Sequence, residues 1–217
     1  MAILDVLGPV MVGPSSSHTL GAMRIARFAY AMIGKKPKKV EFFLHGSFAE
    51  TFKGHGTDRA LLSGIMGLAY DDARIKDAFA LADQLEIEYS FDATNLGNVH
   101  PNTVEIKVQS DDCIHEVEGS SVGGGAIRII KINGVECDLG WGYDTLIVVN
   151  KDEPYALSRI LGAVSANIAN LYLRRVSVLE AKALTIIELD SNIERLQDLS
   201  KIDCVLEYYF VPKDDIL

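Results

Sequence analysis

The stretch Thr145-Leu-Ile-Val-Val-Asn150 begins the part of the sequence that decides the fold of the C-terminal third. A short apolar run of this kind is typical of a buried strand, and helical apolar spacing follows it over residues 153–169. The remaining elements are two strands, a helix and a strand, predicted over 171–179, 183–190, 193–202 and 205–211. The order βαββαβ predicts a ferredoxin-like module.

The sequence before this module has a different pattern, and residues 140–144 (Gly-Trp-Gly-Tyr-Asp) are predicted to be a linker. Helical patterns are found at 17–33, 47–52, 58–70 and 73–84, and strand patterns at 39–45, 104–108 and 126–132. Asn133-Gly134 predicts a two-residue hairpin turn. The predicted fold class is α/β (α+β), with a mixed α/β domain over 1–140 and a ferredoxin-like domain over 145–217.

Composition and charge exclude several classes of function. The 217 residues carry a net charge of −9, whereas a nucleic-acid binder needs a basic face. The one basic cluster, Lys35-Lys36-Pro37-Lys38-Lys39, is short and is interpreted as a solvated turn. No apolar run reaches the roughly 20 residues of a membrane span. We therefore expect a cytoplasmic protein that binds neither nucleic acid nor membrane.

The three cysteines are far apart in sequence and form no Cys-x-x-Cys pair. They are Cys113, Cys137 and Cys204. An odd number of scattered cysteines predicts neither a disulfide framework nor a metal or cluster site within this chain alone.

The densest polar motif is Gly13-Pro-Ser-Ser-Ser-His-Thr19, which directly precedes a helical pattern. Its polar side chains are Ser15, Ser16, Ser17, His18 and Thr19. Free backbone N–H groups at a helix start favour an anion, and serine is a good N-cap residue. A cap needs one hydroxyl, so we favour a carboxylate or phosphate site over a cap with surplus hydroxyls.

A second motif, Lys53-Gly-His-Gly-Thr-Asp58, places His55 between two glycines. Glycine allows unusual backbone dihedrals and close approach of another molecule. His55 can act as a general base at neutral pH, or it can be a structural histidine in a turn. Thr57 or Asp58 is predicted to cap the next helix.

Two weaker motifs follow, His100-Pro-Asn-Thr103 and Gly119-Ser-Ser-Val-Gly-Gly-Gly125. His100 and Asn102 suit ligand contact, although an Asx-type turn explains them equally well. Gly123 and Gly124 could form an anion-binding nest or a tight bend. The four motifs together indicate one polar cleft.

With these motifs in view, the sequence resembles the beta chain of bacterial iron–sulfur-dependent L-serine dehydratase (L-serine ammonia-lyase) over nearly its whole length. The resemblance is carried by Gly13–Thr19, Lys53–Asp58, His100-Pro-Asn102 and the Ser-Val-Gly-Gly-Gly run at 121–125. Residues 145–217 resemble the ACT domain, a regulatory module that commonly binds amino acids.

The resemblance implies an enzyme that converts L-serine through aminoacrylate to pyruvate and ammonia. It implies a [4Fe-4S] cluster held by the cysteines of a partner alpha chain, so this chain should hold no metal and should be active only with that partner. The scattered cysteines fit this division. Serine and threonine both remain possible as the better substrate.

The resemblance also implies roles for individual residues. His55 matches the family position that looks like the base, and His18 is the competing assignment. Substrate contacts are expected from the remaining polar and glycine positions of the four motifs. They are Ser15, Ser16, Ser17, Thr19, Lys53, Thr57, Asp58, His100, Asn102, Gly123 and Gly124.

The ACT-like module departs from the usual Asp-x-Pro-Gly pattern, because Asp152-Glu-Pro-Tyr155 places tyrosine at the glycine position. We expect this bulk to hinder an amino-acid ligand, and the module to serve homo-oligomeric assembly instead. A different class of protein, a non-catalytic amino-acid-sensing regulatory subunit, explains the ACT-like module but explains His55 between glycines less well.

Overall fold

The structure is a computed structural model that describes residues 11–111, 113–190 and 198–214. The chain divides into two units after Gly140. Among the described residues, five α-helices and two sheets give the α+β fold class predicted from the sequence. None of these helices is long and apolar enough to cross a membrane.

The N-terminal unit contains a sheet with the strand order β2-β1-β3-β4-β5-β6. The strands are β1 (Lys39–Leu44), β2 (Glu88–Ala93), β3 (Thr103–Ser110), β4 (Cys113–Gly123), β5 (Ala126–Ile132) and β6 (Val135–Leu139). Strands β1 and β2 are parallel and the other neighbours are antiparallel. A parallel pair requires a crossover, which the helices between β1 and β2 provide.

The helices of this unit are α1 (Ala22–Ile33), α2 (Gly46–His55), α3 (Thr57–Ile65) and α4 (Ala78–Gln84). A π-helical turn (Ser16–Gly21) leads into α1 and a 3₁₀ turn (Ala73–Asp77) into α4. Helix α1 buries one apolar face and packs closely on α3 at Gly64, where an added Cβ would lie 2.4 Å from the Met23 carbonyl oxygen. The two helices therefore approach closely at this point, and Gly64 leaves room for the α1 backbone.

Two predicted helix boundaries are wrong for identifiable reasons. The helix predicted over 58–70 ends at Ile65, because Gly67 has a φ of 74° that α-helical backbone does not allow. The helix predicted over 47–52 continues to His55 and ends at Gly56, which is left-handed with a φ of 66°. The predicted capping of α3 by Thr57 or Asp58 is also wrong: Gly56 is the N-cap, without a side-chain bond.

Glycine-containing turns connect β4 to β5 and β5 to β6. Asn133 and Gly134 both have positive φ, 46° and 77°, as a type I′ hairpin turn requires, which confirms the turn predicted between β5 and β6. Gly123, Gly124 and Gly125 have φ values of 108°, 61° and 82° between β4 and β5. The tight bend predicted for this glycine run is therefore present.

The C-terminal unit comprises β7 (Asp144–Lys151), α5 (Ala156–Gly162), β8 (Ile168–Ser177), β9 (Lys182–Leu189) and β10 (Val205–Val211). The antiparallel strand order β10-β7-β9-β8 is ferredoxin-like. Helix α5 is shorter than the predicted 153–169, because Gly162 weakens its last turn and Ile168 pairs with Leu189 in the sheet.

Half of the helix predicted over 193–202 lies outside the described residues. In the described half, Leu199–Lys201 form a 3₁₀ turn. The predicted linker contributes Trp141 to this unit: its side chain is buried and its Nε1 donates to the Pro212 carbonyl oxygen at 2.8 Å.

Candidate functional site

The π-helical turn at Ser16–Gly21 begins from a serine cap. Ser15 has extended backbone dihedrals, and its Oγ accepts from the His18 N–H at 3.1 Å, which confirms the N-cap role predicted for it. The Ser15 carbonyl oxygen accepts from the N–H of Thr19 (2.9 Å) and of Leu20 (3.3 Å), the second bond being the i→i+5 bond of a π-turn. Turns of this kind are frequent at functional sites.

The hydroxyls of this turn have different environments. Thr19 is buried, and its Oγ1 donates to the His55 carbonyl oxygen at 3.1 Å. Ser16 is exposed and Ser17 half-buried, and neither side chain has a hydrogen-bond partner among the residues that the structure describes. Two hydroxyls at the start of the helix are therefore available to a ligand, and those of Ser15 and Thr19 are used within the protein.

Two imidazoles meet at this turn although they are 37 positions apart in sequence (55 − 18). The ring centroids of His18 and His55 are 4.8 Å apart, and the ring planes are tilted by 44°. His18 also contacts the fully buried Phe48 edge to face, with centroids 5.4 Å apart. His18 is held between the start and the end of α2.

The charge state of His18 follows from this environment. Burial lowers the pKa of His18 below its usual value of 6.5, and the positive charge of protonated His55 lowers that pKa further. His18 is therefore neutral at pH 7, with one ring nitrogen unprotonated.

His55 is the last residue of α2 and is exposed. Among the described residues, no side chain or backbone group hydrogen-bonds its imidazole. Of the two flanking glycines, Gly56 is required by its positive φ, whereas a Cβ at Gly54 would meet nothing within 4 Å. The motif thus ends a helix at His55 and leaves open space beside it.

Ser47 belongs to the site although sequence reasoning did not select it. Its Oγ lies 3.0 Å from Nε2 of His18. Ser47, Thr51 and His55 have the spacing i, i+4, i+8, which places them on one face of α2. Because the helix was predicted to end at residue 52, this spacing was not recognised as a signal.

The His100 motif lies beside the start of α2, and its polar groups mostly bind backbone. Nδ1 of His100 accepts from the Asn102 N–H at 3.1 Å, and the Asn102 carbonyl oxygen accepts from the Ser121 N–H at 2.9 Å. A Cβ at Gly46 would lie 2.8 Å from the Pro101 carbonyl oxygen, so the motif packs directly against the residue before Ser47.

The glycine-rich hairpin lies against the other end of the π-turn. A Cβ at Gly21 would lie 2.0 Å from Ser121 Oγ, and the Gly125 carbonyl oxygen accepts from Arg24 Nη1 at 2.8 Å. Gly123 and Gly124 are half-buried in the bend. Their positive φ values alone explain the need for glycine at both positions.

The rest of the second motif is more dispersed. Lys53 is exposed, with its ammonium 5.6 Å from the centroid of the Phe52 ring. Thr57 is fully buried, and its hydroxyl has no partner within the described part of the chain. Asp58 accepts from the Arg59 N–H at 2.8 Å. The structure places these residues around the α2–α3 junction and in no shared contact with the two imidazoles.

The cysteines do not form a set of cluster ligands. Cys113 is exposed on β4, Cys137 is half-buried on β6, and Cys204 is buried in the C-terminal unit. Across residues 11–111, 113–190 and 198–214, no three His, Cys, Asp or Glu side chains are grouped as metal ligands. These residues do not fit a [4Fe-4S] cluster, which needs several thiolates.

A mixed α/β unit in which two imidazoles meet at a helix start, followed by a ferredoxin-like unit, defines a two-part α+β protein. The sequence model described as "Serine dehydratase beta chain" matches residues 2–95.

Among characterised proteins, the chain is 44% identical over 194 residues to the L-serine dehydratase beta chain of Peptoniphilus asaccharolyticus, which covers 87% of each chain. It is 37% identical over 211 residues to the probable L-serine dehydratase beta chain of Bacillus subtilis, covering 95% of this chain and 96% of that protein. The chain belongs to the L-serine dehydratase beta-chain family, as the resemblance in its motifs predicts.

Longer relatives match in part. L-serine dehydratase 2 of Escherichia coli is 30% identical over 152 residues, which are 58% of this chain but 33% of that protein. L-serine dehydratase of Helicobacter pylori strain J99 is 34% identical over 156 residues, 60% of this chain and 34% of that protein.

Proposed function

We propose that this chain is the beta subunit of an L-serine dehydratase and contributes His55 and His18 to a site shared with an alpha chain. Family membership supports the reaction class. The observation that carries the site assignment is the approach of two imidazole rings to 4.8 Å at the start of a helix. Such a pair can exchange protons with one small substrate.

Deamination of serine begins with removal of a weakly acidic α-proton and loss of the hydroxyl group. His55 is the proposed base, because its imidazole is exposed and is not held by a described hydrogen bond. His18 is neutral and half-buried, and its Nε2 lies next to Ser47. This environment suits a group that orients the substrate or relays a proton beside His55.

Substrate contacts are proposed for Ser16 and Ser17, whose hydroxyls are available beside free N–H groups at the helix start. A serine carboxylate is the anion that fits there. Three predicted contacts are better assigned to structural roles. Ser15 caps the helix, and Thr19 and Thr57 are buried. The other predicted contacts stay proposed substrate contacts: Lys53, Asp58, His100, Asn102, Gly123 and Gly124.

The partner is proposed to be an alpha chain that holds the [4Fe-4S] cluster with its own cysteines. The longer relatives support this division, since about two thirds of the E. coli protein lies outside the match (100 − 33 = 67%). The cluster would supply a Lewis acid for the substrate hydroxyl. The residues of this chain bind and orient serine and move its α-proton.

The proposal is tested by anaerobic co-expression of this chain with an alpha chain encoded by a neighbouring gene. A pyruvate-formation assay with L-serine follows. We expect pyruvate from the two chains together and none from either alone. Pyruvate from this chain alone would overturn the shared site. Serine binding without pyruvate in the anaerobically assembled pair would support the sensing alternative instead.

The C-terminal unit is proposed to be an ACT domain that serves assembly. Tyr155 at the N-cap of α5 is 81% exposed and has a φ of 66°. The backbone there takes the left-handed conformation that glycine favours, although the residue is tyrosine. An exposed tyrosine side chain thus stands where the Asp-x-Pro-Gly pattern has glycine.

A further inference from the structure

The start of α2 provides a fixed platform for one side chain, Ser47. Pro101 packs against Gly46 from outside the helix, and the Phe48 N–H donates to the carbonyl oxygens of His45 (3.1 Å) and Pro101 (3.4 Å). One turn further, Thr51 Oγ1 donates to the Ser47 carbonyl oxygen at 2.7 Å. The backbone that carries the Ser47 hydroxyl is thus held on both sides.

The His18 ring is held by that hydroxyl. Its Nε2 lies 3.0 Å from Ser47 Oγ, its edge packs on the buried Phe48, and its own backbone N–H is bound to Ser15 Oγ. A rotation of the ring about its Cβ–Cγ bond would break the contact with Ser47. Three separate contacts therefore fix both the position and the plane of this imidazole.

An imidazole has two nitrogens, and this arrangement distinguishes them. Ser47 engages Nε2, whereas Nδ1 of His18 has no hydrogen-bond partner in the part of the chain that the structure describes. Whichever way the proton lies in the Ser47–His18 bond, Nδ1 is the nitrogen that remains open to His55 or to a ligand.

We infer that Ser47 is a positioning residue whose hydroxyl holds Nε2 of His18 and thereby makes Nδ1 the nitrogen that exchanges protons in the serine site. The catalytic part of this inference rests on the proposed function. The structural part, one fixed orientation of the His18 ring set by Ser47, is independent of any reaction.

Histidine NMR on the full chain tests the structural part. In NOE spectra of the wild-type chain, the ring protons of His18 and Phe48 should show strong cross-peaks, because the two rings are in edge-to-face contact. Ser47→Ala should weaken these cross-peaks, since the ring loses the hydroxyl that holds Nε2. Ser47→Thr keeps a hydroxyl and should keep them. Ser90→Ala, on β2 in the same unit, is the matched control and should leave the His18 signals unchanged.

Kinetics of the assembled two-chain enzyme test the catalytic part. Ser47→Ala should lower kcat about 10- to 100-fold with KM for L-serine changed less than threefold, because a misplaced ring costs rate more than binding. Ser47→Thr should recover most of the rate. Unchanged His18–Phe48 cross-peaks in Ser47→Ala would overturn the inference, and so would a fall in kcat without any change in those cross-peaks. If the wild-type pair makes no pyruvate, the proposed function fails, while the NMR result still decides the role of Ser47.

Discussion

At the scale of single residues, the proposed site depends on the difference between two histidines. His18 is half-buried and hydrogen-bonded, and His55 is exposed with an unbound imidazole. Sequence reasoning selected both as candidates, because each lies in a dense polar motif. It could not show that they touch, since a contact across 37 positions is made by tertiary packing.

Replacing His55 should affect turnover far more than assembly. We expect His55→Ala to lower kcat of the two-chain enzyme by a hundredfold or more, as loss of a general base does, with unchanged co-purification of the chains. Glu50→Ala is the control, because this exposed residue of α2 lies about 140° around the helix from His55. Near-normal turnover in His55→Ala would move the base assignment to His18.

The pKa of His18 should rise when its charged neighbour is removed. In His55→Gln the charge effect disappears but burial remains, so the pKa of His18 should increase and still stay below 6.5. Titration of the ring carbon protons by NMR measures this. Lys36→Ala removes an exposed positive charge and should leave the His18 pKa unchanged.

The same lowered pKa makes stability depend on pH. The unfolded chain protonates His18 near the usual pKa of 6.5 and the folded chain only at lower pH. The free energy of unfolding contributed by His18 therefore falls as pH decreases below about 6.5 through the folded pKa. Denaturant titrations should show a smaller fall for His18→Gln, and an equal fall in both chains would contradict the burial effect.

At the scale of elements, local signals predicted some boundaries well and others poorly. Asn133-Gly134 specified its turn, because the required positive φ angles depend on those two residues alone. The helix predicted over 47–52 is too short because glycine is a poor helix former, whereas α2 continues through Gly54 to His55. The π-turn was not predictable from residue types, because it differs from an α-turn only in the partner of one N–H group.

The two glycines around His55 should respond oppositely to alanine. Gly56→Ala places a Cβ on a residue with a φ of 66° and should lower the free energy of unfolding by about 1 kcal/mol. Gly54→Ala is the matched control: it lies within α2 and in open space, so it should be neutral or stabilising by up to about 1 kcal/mol. Denaturant unfolding of both variants measures the difference, and equal effects would contradict the reason given for Gly56.

At the scale of the whole molecule, the sequence predicted two units, and the structure divides after Gly140. The order of strands in the C-terminal unit followed from its element order, because a ferredoxin-like module has few alternatives. The strand order of the N-terminal unit did not follow. Its parallel β1–β2 pair depends on a crossover of several helices, which periodicity alone does not specify.

If the C-terminal unit serves assembly, amino acids should not bind it tightly. Calorimetry on the full chain with Ser16→Ala and Ser17→Ala, which remove the proposed serine contacts, should show no saturable heat with serine or with other amino acids. Adding Tyr155→Gly restores the Asp-x-Pro-Gly pattern and gives the matched comparison. Tight saturable binding with Tyr155 in place would refute the assembly role.

The π-turn makes the length of the serine run as important as its composition. Such a turn holds one residue more than an α-helical turn, so side chains before it are rotated by about 100° relative to the apolar face of α1. Deleting one of the three serines would leave a cap and a hydroxyl, but it would turn His18 away from α2. The number of residues before Gly21 therefore matters as much as their identity. A substitution alters one side-chain contact, whereas the deletion of one residue changes the direction of every side chain that precedes Gly21.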